Sequence, residues 1–262
     1  MDEKIFQGKS VIITGGAGAI GSAEARAFAA GGAHVFFNDI NEEKGTALCR
    51  EIEQAGGRAQ FFPVNVSDGE GIGKMVEKAA ADTGGIHILV NNAGYNVGGN
   101  KRKPITEYDE ADVRMVTDIC LDGVYHCCRF VLPYMKQGGG GKIVNTGSVT
   151  GFHAPLKWQA PYNAAKAAVH NITRTMAAAY GEYHINVNAV IPGSVMNEGL
   201  RGMVYDTDDK ARSMIEHIPL GRTGRPDDIA NAVCFLCSPY ADYITGCLLN
   251  VDGGWAAAYS AE

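Results

Sequence analysis

Residues 14–21 read TGGAGAIG, directly after the β-branched run SVIIT at residues 10–14. A helical pattern begins near Ala19. Lacking a Cβ, Gly15 suits a tight strand-to-helix turn, and Gly21 lets the helix and strand backbones approach closely. The helix N-terminus then offers unpaired N–H groups and the positive end of its dipole to a pyrophosphate. A glycine-rich string alone is a weak signal. Here it sits between a strand and a helix, and an acid, Asp39, closes the second strand candidate 24 residues after Gly15. A carboxylate there accepts hydrogen bonds from a ribose 2′-hydroxyl and repels a 2′-phosphate, so it favours NAD over NADP. No arginine occupies the glycine turn or the residues just after Asp39.

Outward from this turn, apolar β-branched runs alternate with helical patterns. Strands are expected at 10–14, 33–38, 59–64, 86–91, 142–146, 184–190 and 247–251, with helices at 22–30, 42–55, 69–82, 109–136 and 162–180. Such alternation implies an α/β fold, a Rossmann-like doubly wound parallel sheet of about seven strands. No repeat, low-complexity segment or linker interrupts it, so residues 1–262 are expected to form a single dinucleotide-binding and catalytic domain. The 34 glycines are about twice the usual share of ~7% and follow no Gly-X-Y period. They gather at strand-to-helix turns, at 15, 16, 18 and 21, then 94, 98 and 99, then 147 and 151, then 193. These are carboxyl ends of strands, where open α/β sheets bind ligands.

Composition removes other classes. With 23 Lys+Arg against 29 Asp+Glu the net charge is −6, which disfavours binding to nucleic acid or an anionic membrane. No run reaches the ~18 apolar residues of a membrane span. The opening MDEKIFQGK has no apolar core of a secretion signal. Seven scattered cysteines read as reduced thiols in a cytoplasmic protein. Cys234 and Cys237 form a C-x-x-C within the apolar helical stretch AVCFLCSP and lack a second ligand pair, so they are read as core and no metal is expected.

Several further motifs occur in a fixed order. NNAG spans Asn91 to Gly94, Ser148 follows the fifth strand candidate, YNAAK spans Tyr162 to Lys166, and IPG spans Ile191 to Gly193. The chain closes on PLGRTGRPDDIANAVCFL and YITGCLLNVDGG. With the glycine turn, this series resembles the short-chain dehydrogenase/reductase family over nearly the whole chain. The resemblance implies catalysis by Ser148, Tyr162 and Lys166. It implies cofactor contacts from Gly15, Gly18, Ala19, Ile20, Gly21 and Asp39 in the first half of the site. Asn65, Val66, Asn92, Ala93 and Gly94 follow from the next two turns, and Pro192, Gly193 and Val195 from the sixth strand's end. Tyr162 and Lys166 also serve the cofactor, Lys166 at the nicotinamide ribose hydroxyls. The chemistry stands without the name. Residues four apart share one helix face. A phenol of pKa ~10 is a poor base near neutrality, and a neighbouring ammonium favours its phenolate. Tyr162 is thus the expected general acid/base between a secondary alcohol and a ketone, and Ser148 the group that orients the substrate oxygen.

Departures from the family pattern are specific. Ala19 stands where its middle glycine falls. Cys120, in CLDG, replaces the asparagine that feeds a water relay from Lys166; a thiol is expected not to reproduce the amide's two-way hydrogen bonding. Ser148 and Tyr162 lie 14 residues apart, one more than the commonest spacing. Asn197 replaces a threonine after the proline-glycine turn, and Asn65 replaces an aspartate while keeping an acceptor near adenine.

The substrate is expected to meet the loop after Ser148, with His153 and Trp158, and a lid around 194–217, with Met196 and Met203. Flexible methionines and aromatics suit a bulky apolar alcohol, so a hydroxysteroid ranks first. A sugar or polyol, a 3-oxoacyl thioester, and a non-catalytic NAD-binding redox sensor remain as alternatives. The resemblance also implies a homotetramer, with 109–136 and 159–180 as one interface.

Overall fold

The apolar runs settle into seven strands: β1 (Ser10–Thr14), β2 (His34–Asn38), β3 (Arg58–Phe62), β4 (Ile88–Asn91), β5 (Gly141–Thr146), β6 (Ile185–Pro192) and β7 (Leu248–Val251). The computed structural model describes residues 4–96, 103–153, 159–196 and 215–259. All neighbouring strands pair in parallel, in the order β3-β2-β1-β4-β5-β6-β7. Successive side chains of a strand point to opposite faces, and both faces here are apolar. Val11 and Ile13 pack with Phe28, Val35, Phe37 and Val144 on one side. Ile12 packs with Phe36, Met75, Leu89 and Val187 on the other. Each such fully buried side chain stabilises the fold by about 1.5–3 kcal/mol.

The first face is covered by α1 (Ala19–Ala30), α2 (Glu42–Gln54) and α7 (Pro226–Cys237), the second by α3 (Gly69–Thr83), α5 (Gly123–Gln137) and α6 (Ala160–Tyr180). Cys234 and Cys237 are buried in the first core. A short α4 (Glu110–Thr117) precedes α5, and α8 (Trp255–Tyr259) follows β7. The helix expected at 109–136 is therefore present but not uniform. A π-helical turn at Asp118–Asp122 joins α4 to α5 and widens the chain around Cys120. β3 stops at Phe62, short of the expected 64: Asp39 N donates to Phe62 O at 3.3 Å as the last rung, and Val64 N turns back to the same carbonyl at 2.9 Å.

The helices differ in how they start. Asn41, Asp68 and Asp109 accept from backbone N–H groups in the first turns of α2, α3 and α4, at 2.9, 3.0 and 2.7 Å. α1 starts from Gly18 with no side-chain cap and no acid in its first turn. Its N-terminus stays open, and it lies at β1, where the strand order reverses between β1 and β4.

Candidate active site

A cleft of about 890 Å³ runs over the carboxyl ends of the central strands. Its floor is the glycine turn. Gly15 has φ of 64°, a left-handed conformation, and a Cβ on Gly21 would run into the Gly15 carbonyl. The turn is tied to the segment after β4: Asn92 Nδ2 donates to Thr14 O and Gly15 O at 3.0 and 3.2 Å, and Ala93 N donates to Thr14 Oγ1 at 2.9 Å. Below them Asn91 Nδ2 donates to Asn145 Oδ1 (2.8 Å), and Asn145 Nδ2 to Thr173 Oγ1 (2.9 Å), linking β4, β5 and α6.

Asp39 stands at the cleft beside this turn. Its Oδ2 accepts from Ala17 N at 3.1 Å and its Oδ1 from Asn41 N at 3.0 Å. The carboxylate is thereby fixed in direction, and each oxygen retains acceptor capacity for a ribose hydroxyl. Two cations that sequence reading passed over, Arg26 and Lys44, line the same end. Arg26 is held by Glu51 through contacts of 2.6 and 2.9 Å, and it also donates to Ser22 Oγ at 3.1 Å.

Tyr162, Lys166 and Ser148 line the opposite end. Lys166 is buried and donates from Nζ to Thr146 O at 2.7 Å, while its Nζ lies 5.7 Å from the Tyr162 ring centroid. Ser148 caps a single 3-10 turn, and its Oγ accepts from Thr150 N at 3.2 Å and Thr150 Oγ1 at 3.0 Å. One turn beyond Lys166, His170 Nε2 accepts from Ser148 N at 3.3 Å. Burial, with the charges of Lys166 and Arg174, pushes this imidazole down to about 4, so it is neutral near pH 7. Neither Thr150 nor His170 was a sequence expectation. His170 follows Lys166 at the same four-residue interval that links Tyr162 to Lys166, and that repeat was the available signal.

Cys120 corrects an expectation. Its Sγ accepts from Tyr95 N and donates to Tyr95 O, both at 3.3 Å, so the thiol does make the two-way contact. The sulfur lies within reach of both groups because the π-helical turn carries Cys120 against the segment after β4.

The remaining expected residues divide. Gly18, Ala19, Ile20, Gly94, Pro192, Gly193 and Val195 line the cleft. Asn65 and Val66 do not: Asn65 is exposed in a separate depression with Glu110 and Arg114, where its Oδ1 accepts from Ser67 N, and Val66 packs on Gly123. His153 and Met196 are half-buried and lie outside the lining. Trp158, Met203, Asn197 and the bulk of the lid, 197–214, fall outside the described residues. Among the described residues no cluster of His, Cys, Asp and Glu could hold a metal ion, and no helix is long and apolar enough to cross a membrane.

A reversed parallel sheet, an uncapped helix behind a glycine turn, and a Tyr–Lys pair in the same cleft define a nucleotide-dependent oxidoreductase of the Rossmann type. The family profile described as enoyl-(acyl carrier protein) reductase matches residues 15–256. The chain belongs to the short-chain dehydrogenase/reductase family, whose members bind a nicotinamide cofactor. It is 34% identical over 253 residues to a 7α-hydroxysteroid dehydrogenase of Escherichia coli, covering 97% of this chain and 96% of that one. It is 36% identical over 252 residues to a cis-4-hydroxycyclohexanecarboxylate dehydrogenase of Sinomonas cyclohexanicum, covering 96% and 98%. A candidate NAD(P)-dependent gluconate 5-dehydrogenase from Beutenbergia cavernae, solved with NADP at low occupancy, superposes with a TM-score of 0.88 at 32% identity, covering 96% and 98%.

Proposed function

We propose that this chain interconverts a secondary alcohol and a ketone with NAD(H). The observation that carries the reading is the convergence of Tyr162, Lys166 and Ser148 on the cleft that holds the glycine turn. A bound nicotinamide supplies the hydride acceptor or donor. Tyr162 takes the alcohol proton at its phenolic oxygen, or returns it in reduction, with the Lys166 ammonium on the same face of α6. Ser148 donates its hydroxyl to the substrate oxygen. The first turn of α1, from Ala19 to Gly21, would hold a pyrophosphate on its open backbone N–H groups.

Asp39 supports NAD as the coenzyme, with its carboxylate fixed where a 2′-phosphate would come. The NADP found in the Beutenbergia relative makes this the point to measure. Wild-type kcat/KM should favour NADH over NADPH, and Asp39→Ser should shrink that ratio by about tenfold, the size of one charge-assisted hydrogen bond. A wild-type preference for NADPH overturns the assignment. A hydroxysteroid or similar apolar alcohol is the preferred substrate class, supported by the methionine-rich lid segment and the steroid-acting relative. A polyol is the second reading, favoured by the gluconate-type neighbour.

Tyr162→Phe tests the mechanism. Turnover in an alcohol panel should fall by about 10²-fold or more, the usual weight of a positioned acid/base, while NADH binding by fluorescence persists. Undiminished turnover would instead mean different chemistry, and NADH binding without turnover of any probe by the wild type would fit the non-catalytic redox sensor. We also assign a homotetramer, supported by the apolar groove between α5 and α6 lined by Leu121, Tyr125, Leu132, Ile172 and Met176. Seven unpaired cysteines suit a cytoplasmic setting.

A further inference from the structure

Ser148 is restrained from two sides by residues that do not themselves line the cleft. Its backbone N–H donates to His170 Nε2 (3.3 Å), and its Oγ faces both Thr150 N (3.2 Å) and Thr150 Oγ1 (3.0 Å). The His170 ring lies directly against the loop: a Cβ placed on Gly147 would sit 2.5 Å from Nε2, and one on Gly151 2.5 Å from Cε1. Phe152 stacks on the same ring, with centroids 4.4 Å apart. Thr150 and His170 are both buried.

We propose that Thr150 and His170 are positioning residues that aim the Ser148 hydroxyl proton at the substrate oxygen. The inference rests on the dehydrogenase reading and deepens it. A hydroxyl has one proton and two lone pairs. The Thr150 N–H can only donate, so it occupies the first lone pair. The Thr150 hydroxyl, donating as well, occupies the second. The Ser148 proton is then left to point outward into the cleft. In the reverse order, with Ser148 donating to Thr150, a lone pair would face a carbonyl oxygen that needs a donor. His170 completes the device as a neutral acceptor whose proton resides on Nδ1. Because Tyr162, Lys166 and His170 form one stripe of α6, the orienting hydroxyl is tied to the helix that carries the acid/base. Error in their mutual placement is thereby limited, and placement governs rate.

Four variants separate positioning from mere folding. Thr150→Val removes the hydroxyl at nearly constant shape and Thr150→Ser restores it; His170→Leu removes the acceptor and His170→Gln supplies another. Turnover is read with a 7α-hydroxysteroid, cis-4-hydroxycyclohexanecarboxylate and gluconate as probes. Thr150→Val should lower kcat about tenfold at unchanged affinity for NADH, and Thr150→Ser should stay near wild type. In a Ser148→Ala background Thr150→Val should add no further loss, since residues acting as a unit are not additive. A full additional loss there overturns the proposal. In the protein alone, amide hydrogen exchange at Ser148 should accelerate in His170→Leu and remain slow in His170→Gln. Unchanged exchange in His170→Leu overturns it whatever the probes do. Failure of the parent reading looks different: Tyr162→Phe and Ser148→Ala would then both keep full turnover.

Discussion

The sulfur of Cys120 stands 3.3 Å from both the nitrogen and the oxygen of Tyr95, and the residue is 1% exposed. Removing it leaves two half-buried backbone groups without that partner, a loss of about 1 kcal/mol by the usual worth of such hydrogen bonds. Cys120→Ala should therefore lower the urea midpoint by that margin, and Cys120→Asn, whose amide both donates and accepts, should recover it with similar or higher activity. Equal stability of the alanine and wild-type proteins would show the sulfur contact to be idle. That a thiol fills an amide's place was not legible from its chemistry alone. A weak donor and acceptor works here only because the fold brings both complementary groups to it. Tyr162 and Lys166 were legible for the opposite reason: a four-residue interval on a helix sets their relation locally.

Helix ends follow the same division. α7 begins where Asp228 Oδ2 accepts from Arg225 N at 2.7 Å, and Arg222 grips the same carboxylate at 2.6 and 3.2 Å. The Arg222 hydrogen bond is the main reason the Asp228 carboxyl sits at about 2 rather than 3.8. Its folded value is depressed, so its contribution is present above pH 3.8 and is lost as pH falls through 2. Asp228→Ala should cost about 1 kcal/mol at pH 7, the worth of a helix-start cap, seen as a lower Tm; an unchanged Tm would mean that the open first turn is solvated at no loss. Element type and order were readable from apolar periodicity, which began the first helix at 22, while the glycine turn pointed to its observed start at Ala19. Two details were not. β3 ends at Phe62, where the Val64 N–H folds back onto the Phe62 carbonyl, a turn set by where the neighbouring strand stops. The π-helical turn at Asp118–Asp122 was not readable, because its one extra residue shifts the apolar phase by about 100° within a stretch too short to show a period of its own.

Across the whole molecule, Glu24 is the least expected residue. It is 0% exposed on α1, neither carboxylate oxygen has a hydrogen-bond partner, and burial raises its pKa from 4.5 to about 8. Between those values the native protein holds a proton that the unfolded chain has lost, so stability falls as pH rises, by about 1.4 kcal/mol per unit. His170 acts in the other direction: its pKa is lowered from 6.5 to about 4, and its contribution is lost as pH falls through that interval. From 4.5 to 6.5 the two slopes oppose, and above 6.5 Glu24 acts without that opposition. Urea unfolding should show the wild type losing about 2 kcal/mol relative to Glu24→Gln between pH 6.5 and 8; parallel curves would mean that Glu24 ionises without penalty. Glu24 stands between Ala23 and Ala25, whereas Glu51, which is exposed and paired with Arg26, stands beside Arg50 and close to Glu53; that contrast leans toward burial but does not fix it. By itself the sequence determined the kinds and order of the elements, the glycine turn and the Tyr–Lys pair, because periodicity, turn chemistry and i,i+4 spacing act over a few residues. Only the tertiary structure decided that Thr14 meets Ala93, Ser148 meets His170 and Cys120 meets Tyr95, across 79, 22 and 25 residues. Those meetings exist because strand order sets distant loops side by side, and no local pattern encodes that order.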